Sequence, residues 1–173
     1  MERTGVITFL GGPLTLIGPE VKAGQKAPDF TVLDNALAAK SLKDFAGKTV
    51  VISVTPSLDT PVCDAQTKKF NEASAQLPDV DIFTVSMDLP FAQSRWSSAF
   101  AVDRVKMLSD HKDGSFGANY GTLIKELRLE SRAIFVVDRE NRIRHVEYVK
   151  EVADFPNYEA ALASARSTLA AKA

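Results

Sequence analysis

The chain has little cysteine, little histidine and almost no net charge. Its 173 residues include one cysteine, two histidines and 21 basic against 22 acidic side chains, which gives a formal net charge of −1. One thiol excludes an intramolecular disulfide, and one cysteine with two distant histidines lacks the ligand spacing of a zinc site. The charges alternate in sign and form no basic stripe that would follow phosphates. We therefore expect no metal, no cofactor and no nucleic-acid partner.

Long hydrophobic runs are also missing, and the apolar runs present fall far short of the roughly 20 residues of a spanning helix. Residues 6–17 are apolar enough to imitate a secretory signal, but Gly11, Gly12 and Pro13 interrupt them and no small-residue cleavage pattern follows. We expect a protein without membrane contact. Its single cysteine favours a reducing cytoplasm as its location.

The length and composition are typical of one folded domain. With 45% hydrophobic and 25% charged residues, the chain suits a single core spanning residues 1–173. The β-rich runs 6–10 and 14–17, separated by a Gly-Gly-Pro turn, predict an N-terminal hairpin within residues 1–18.

Beyond this hairpin, strand and helix patterns alternate, which predicts a small α/β layer protein with a buried, largely parallel sheet. A tight turn at 138–141 joins the last two strands and makes the sheet mixed. The predicted strands are 30–33, 50–54, 81–85, 105–108, 133–137 and 143–149. The predicted helices are 60–75, 91–100, 113–120 and an Ala-rich helix that begins near Asn157 and continues to Ala173.

Cys63 lies where a buried strand is expected to give way to a helix. The N-terminus of a helix favours a thiolate, because its backbone N–H groups have no partners within the helix. A lone cysteine is otherwise more often a small buried hydrophobe. Because a polar turn precedes Cys63 and Asp64 and Gln66 follow it, we interpret Cys63 as a nucleophile rather than a core residue.

A cysteine hydrolase is a weaker interpretation of the same thiol. Such an enzyme needs a histidine base beside the sulfur and an oxyanion hole. His111 lies in a polar loop and His145 in a predicted strand, so each is better explained as a solvated or packing residue.

With Pro56, Thr60 and Cys63 in place, the segment resembles the peroxidatic P-x-x-x-(T/S)-x-x-C motif of peroxiredoxins. The similarity extends along nearly the whole chain and is closest to the bacterial thiol peroxidase branch, the atypical two-cysteine peroxiredoxins. It is carried by residues 55–63, 69–71, 86–93 and 156–162.

This resemblance implies a thioredoxin-like three-layer sandwich with a mixed central sheet and an N-terminal hairpin. It also implies a homodimer that reduces hydrogen peroxide and organic hydroperoxides with electrons from thioredoxin or another thiol. By position, Cys63 corresponds to the peroxidatic cysteine, Thr60 to the hydroxyl that holds thiolate and peroxide, Pro56 to the shield against water, and Arg132 to the active-site arginine. Taken singly, Thr60 suits a helix cap, Pro56 a turn, and Arg132 a surface pair with Glu130.

The sequence departs from this branch at Ser97, which occupies the position of the resolving cysteine. A hydroxyl cannot close a disulfide with Cys63. Two explanations fit: a natural one-cysteine variant resolved by an external thiol, or a substitution of cysteine by serine that holds the reduced state. A peroxide sensor or redox-relay module without efficient turnover is the alternative function.

The substrate entrance is a further expectation from the sequence. Leu89, Phe91 and Trp96 are expected to line an apolar entrance suited to alkyl hydroperoxides.

Overall fold

The computed structural model describes residues 1–170. The strands are β1 Glu2–Phe9, β2 Gly12–Ile17, β3 Val32–Leu33, β4 Ala39–Lys40, β5 Thr49–Val54, β6 Val80–Ser86, β7 Lys106–Ser109, β8 Leu123–Ile124, β9 Leu129–Glu130, β10 Ala133–Val137 and β11 Ile143–Tyr148. The helices are α1 Pro61–Ser74, α2 Pro90–Ala99, α3 Ser115–Tyr120 and α4 Tyr158–Ala170, with a short 3-10 helix at Leu42–Phe45. The predicted helices, the longer predicted strands and the N-terminal hairpin are therefore confirmed in type and in their order along the chain.

Seven strands form the central sheet in the order β11-β10-β5-β6-β7-β3-β4. Only β5, β6 and β7 are mutually parallel, while β10 pairs antiparallel with both β5 and β11. The expectation of a largely parallel sheet was therefore wrong, and the expectation of a mixed sheet is confirmed. Because β10 runs antiparallel to β5, with Ala133 opposite Val54, the chain enters β10 at the end of the sheet where β5 finishes.

The N-terminal hairpin belongs to a second, four-stranded sheet in the order β1-β2-β8-β9. Its two strands pair antiparallel, with a shift in register between Thr4 and Ile7, where Gly5 has a φ of 70°. The sequence predicted the hairpin but neither β8 nor β9, because two-residue strands leave no periodic pattern.

Hydrophobic side chains fill both faces of the central sheet. Alternate residues of β5 divide between the faces: Val50, Ile52 and Val54 join one apolar cluster, and Val51 joins the other, against α1 and α4. Full burial of such a side chain contributes about 1.5–3 kcal/mol. Since all six residues of β5 are buried, this strand fixes the position of the loop that follows it.

Local chemistry explains where several elements begin. Proline occupies the first position of α1 and α2, where its missing N–H costs nothing. Asn157 accepts a hydrogen bond from the backbone N–H of Ala160 and caps α4 as predicted. The predicted continuation to Ala173 passes into residues 171–173, which lie outside the described residues.

The strand predicted at 30–33 contains only Val32 and Leu33. The Asp29 carboxylate accepts hydrogen bonds from the backbone N–H groups of Phe30 and Leu42. Because the N–H of Phe30 is used in this way, it is not available to a strand neighbour.

Candidate active site

The candidate nucleophile lies in the first turn of α1, three residues after the cap position of Thr60. Its side chain is fully buried, with 0% exposure. The expectation that Cys63 is not a buried residue was therefore wrong. The loop after β5 explains this burial, because Pro56 and Leu58 both fold inward beside the helix start. Burial without polar partners is typical of an inert thiol, so the neighbours of the sulfur decide its chemistry.

Arg132 is the polar partner of this sulfur. Its Nη2 donates to Cys63 Sγ at 3.3 Å, and only 2% of the residue is exposed. The antiparallel pairing of β10 with β5 places Ala133 opposite Val54, so the residue before β10 lies beside the loop after β5. A guanidinium keeps its charge in proteins, and an adjacent cation favours the anionic form of a thiol.

The alternative interpretation of Arg132 as a surface pair with Glu130 was wrong, because both side chains are buried. The Glu130 carboxyl accepts a hydrogen bond from Thr122 Oγ1 at 2.6 Å. The charge of Arg132 is therefore directed at the sulfur instead.

Gln66 holds the guanidinium from the other side, and sequence reasoning did not identify it. Its Oε1 accepts from Arg132 Nη1 at 2.7 Å, and its Nε2 donates to Ser53 Oγ at 2.7 Å. Arg132 Nε donates to the backbone carbonyl of Val152 at 2.8 Å. All three guanidinium nitrogens thus have partners. The signal available in the sequence was the spacing of Gln66 three residues after Cys63, which places both on one helix face.

Asp88 fixes the loop that leads to Cys63 and was also missed. Its carboxylate accepts hydrogen bonds from Ser57 Oγ, from the backbone N–H of Leu58 and from Ser86 Oγ, each at 2.8 Å. Because Asp88 follows β6, the neighbour of β5, this contact ties the two strand ends together.

Thr60 and Pro56 lie in the same loop as predicted. Thr60 is exposed at the start of α1, and its hydroxyl donates to the backbone carbonyl of Ser57 at 3.0 Å. This bond leaves the hydroxyl oxygen free to accept another. Pro56 is buried within this loop.

Ser97 lies in α2 and is half-buried, with its hydroxyl donating to the backbone carbonyl of Ser94 at 3.1 Å. Among residues 1–170 none of its side-chain hydrogen bonds reaches Cys63. A shallow groove that Ser97 lines also contains Val102 and Asp34.

The expected apolar entrance is only partly present. Trp96 is buried and lines a cavity of about 350 Å³ with Thr60, Pro61 and Phe100 at the start of α1. Leu89 and Phe91 do not line this cavity, and Phe91 is 67% exposed. The expectation that Leu89 and Phe91 line the entrance was therefore wrong. Both residues lie before the turn of α2 that faces α1.

Neither histidine contacts the sulfur in the part of the chain that the structure describes. Partial burial lowers the pKa of His145 on β11, away from the loop after β5. Over the same residues, no cluster of three or more potential metal ligands occurs. No helix within 1–170 has the length and apolarity needed to cross a bilayer.

Comparison with known proteins shows the family of this chain. Residues 22–162 match the Redoxin family. The thiol peroxidase of Bacillus subtilis (strain 168) is 55% identical over 161 residues, which cover 93% of this chain and 96% of the relative. The thiol peroxidase of Staphylococcus aureus (strain MRSA252) is 52% identical, covering 91% and 96%.

Solved structures give the same result. The crystal structure of a peroxiredoxin-like protein from Aquifex aeolicus superposes with a TM-score of 0.89 at 38% identity, covering 96% of this chain and 97% of that one. The fold and these relatives define a thioredoxin-like peroxiredoxin. The chain belongs to the Redoxin family.

Proposed function

We propose that Cys63, Arg132, Thr60 and Pro56 carry the thiol-dependent peroxidase activity of this chain. The enzyme class follows from the family and from thiol peroxidases that are 52–55% identical over most of the chain. The observation that supports the residue roles is the 3.3 Å contact between Arg132 Nη2 and Cys63 Sγ, both of them in buried side chains.

In the reaction we propose, the Cys63 thiolate attacks the nearer oxygen of the peroxide in line with the O–O bond. The S–O bond forms as the O–O bond breaks, and the departing oxygen takes a proton to become water or an alcohol. The sulfur is oxidised to sulfenic acid and the peroxide is reduced. Arg132 stabilises the charge that develops on the leaving oxygen.

Thr60 and Pro56 have complementary parts in this step. The Thr60 hydroxyl can donate one hydrogen bond and accept another. Once it gives up its bond to the Ser57 carbonyl, the hydroxyl can hold the peroxide against the sulfur. Pro56 has no N–H and a fixed φ, so it makes a rigid wall that offers the substrate no competing donor.

Recycling requires an external thiol, because Ser97 cannot form a disulfide with Cys63. One thiol displaces water from the sulfenic acid to form a mixed disulfide, and a second thiol releases Cys63 and leaves the reductant oxidised. Peroxide as substrate and a thiol as reductant follow from the enzyme class. We assign thioredoxin, or another thiol, as the reductant, and hydrogen peroxide with organic hydroperoxides as the substrates.

We also propose one domain over residues 1–173, a homodimer, and a location in a reducing cytoplasm. The homodimer is what the resemblance to the thiol peroxidase branch implies. The single thiol supports a reducing location, because no intramolecular disulfide can form.

The test is a single turnover. The reduced protein is mixed with one equivalent of hydrogen peroxide and its mass is measured after trapping sulfenic acid with dimedone. We expect consumption of the peroxide and an adduct at Cys63, with neither in Cys63→Ser. Unmodified thiol together with unconsumed peroxide would contradict the proposal.

The absence of a second cysteine favours one further candidate, a peroxide sensor or redox relay. Both functions share the first step and differ in turnover. Steady consumption of peroxide with thioredoxin supports the enzyme. A single burst that no thiol reductant extends supports the sensor or relay.

A further inference from the structure

A single carboxylate joins the tip of the N-terminal hairpin to the segment after β11. Glu151 Oε2 accepts from Thr8 Oγ1 at 2.8 Å and from the backbone N–H of Gly11 at 3.1 Å. Its Oε1 accepts from the N–H groups of Leu10 at 3.0 Å and Ala153 at 3.1 Å. These donors hold the pKa of Glu151 at about 2, so the carboxylate is ionised at neutral pH.

The backbone beside Glu151 is held by the same hairpin. Thr8 N donates to the Lys150 carbonyl and Val152 N donates to the Thr8 carbonyl, each at 2.8 Å. The Val152 side chain is buried in an apolar cluster with Ile7 and Leu16 of the hairpin. Residue 152 is therefore fixed through its backbone and its side chain.

This fixed residue is the one that holds the active-site arginine. The carbonyl of Val152 accepts from Arg132 Nε at 2.8 Å, while Nη2 of the same guanidinium lies 3.3 Å from Cys63 Sγ. A guanidinium is planar and rigid, so the position of Nε determines where Nη2 points. A displaced Val152 carbonyl would turn the charge away from the sulfur.

We propose that Glu151 is a positioning residue for the peroxidase reaction, which clamps the hairpin tip to Val152 and so aims the Arg132 guanidinium at Cys63. The inference rests on the proposed function. It gives the N-terminal hairpin a part in supporting the active site, although the hairpin contributes no group that touches the sulfur.

The test compares Glu151→Ala and Glu151→Gln with a matched control, Glu126→Ala. Like the half-buried Glu151, the exposed Glu126 binds the hairpin backbone, since both of its carboxylate oxygens accept from Thr15 N at 3.1 and 3.0 Å. The donor residue, Thr15, lies on β2, away from the segment that holds Arg132. The control therefore weakens the hairpin without touching Val152.

Three quantities are measured for each full-length variant: the melting temperature, the single-turnover rate with hydrogen peroxide, and the pH profile of iodoacetamide alkylation of Cys63. We expect Glu151→Ala to lose about tenfold in rate, as expected for a misplaced charged group. Its alkylation profile should shift to higher pH. Glu151→Gln keeps one acceptor oxygen, so its rate and its alkylation profile should lie between those of wild type and Glu151→Ala. If the alanine variant unfolds, the glutamine variant provides the test.

Wild-type rate and profile in Glu151→Ala would overturn the inference. So would an equal loss in Glu126→Ala, which would attribute the effect to hairpin stability alone. A wild-type protein that does not react with peroxide would instead contradict the proposed function. The positioning role alone would be contradicted if wild type and Glu151→Ala react with peroxide at the same rate while Arg132→Lys reacts slowly.

Discussion

Gln66 is a buried amide that satisfies two other buried polar groups. It accepts from Arg132 and donates to Ser53, and all three side chains are buried. A polar network of this kind stabilises the fold only while every member has its partner. Gln66 therefore links the stability of the site to the direction of the guanidinium.

Replacement of Gln66 by alanine should reduce both stability and rate. Arg132 Nη1 and Ser53 Oγ would lose their partners, so we expect the free energy of unfolding to fall by about 1–3 kcal/mol. Urea denaturation measures this change, and Gln76→Ala, in an exposed turn after α1, is the control. A loss no larger than that of the control would show that water replaces the amide.

Arg132 should not be replaceable by lysine. Its three nitrogens each have a separate partner, and one ammonium cannot reach Gln66, Val152 and Cys63 from a single position. We expect the single-turnover rate of Arg132→Lys with hydrogen peroxide to fall by about 100-fold, the typical effect of losing one oxyanion donor. A rate within twofold of wild type would show that any nearby cation suffices.

At the scale of elements, helix α2 carries the serine at the resolving position. The Ser97 hydroxyl bonds within its own helix, and no side-chain hydrogen bond joins it to the sulfur in α1 across residues 1–170. A thiol at this position would have to reach the buried sulfur before the two could bond.

We expect Ser97→Cys to regain an intramolecular disulfide after one equivalent of peroxide. The reason is that a cysteine thiol can attack the Cys63 sulfenic acid and release water. Loss of both free thiols, with a mass 2 Da below that of the reduced variant, is the expected readout of a two-electron oxidation. Ser98→Cys, at the exposed neighbouring position, is the control. Equal disulfide formation in both variants would argue against a specific resolving position.

Much of the fold was predictable because its longer elements have local causes. The apolar run in β5 and the proline starts of α1 and α2 need no tertiary information. The motif placed Pro56, Thr60 and Cys63 together at the junction of β5 and α1 for the same reason. Gln66 and Asp88 were missed because their partners are 66 and 30 or 31 residues away in sequence. The burial of Cys63 was mispredicted because neither the inward folding of Pro56 and Leu58 nor the contact with Arg132, 69 residues away, leaves a local pattern.

At the scale of the whole molecule, a buried acid pair joins the two sheets. Glu130 ends β9 of the four-stranded sheet, and Asp110 follows β7 of the seven-stranded sheet. Burial raises the pKa of Glu130 well above its ordinary value of 4.5, and the neighbouring Asp110 raises it further. Burial raises the pKa of Asp110 as well, so neither carboxyl ionises at its ordinary pKa.

This pair should make stability fall as pH rises. Above pH 4.5 the unfolded chain releases a proton that the folded protein still holds on Glu130. The contribution of this proton to the free energy of unfolding is therefore complete below pH 4.5, and it declines as the pH rises toward the pKa of Glu130 in the folded protein. We expect the free energy of unfolding of wild type, relative to Glu130→Gln, to decrease from pH 5 to 8 by up to about 1.4 kcal/mol per pH unit. Urea denaturation at each pH measures it.

Glu126→Gln is the control for this pH dependence. Backbone hydrogen bonding by Thr15 lowers the pKa of Glu126 below its ordinary value of 4.5. The contribution of Glu126 to the free energy of unfolding is therefore lost only as the pH falls below that value. Its difference from wild type should be flat from pH 5 to 8. A flat difference for Glu130→Gln as well would mean that the buried pair ionises freely.

The enclosure of the Cys63 sulfur has a consequence for the timing of the catalytic cycle. A peroxide molecule is small enough to diffuse in through transient gaps, whereas a protein thiol needs the sulfur brought to the surface before the two can bond. Oxidation can proceed with the fold shut, but repair must wait for the start of α1 to unwind. The lifetime of the oxidised enzyme is then set by how often that turn opens, and a tighter fold would leave it longer at risk of irreversible oxidation.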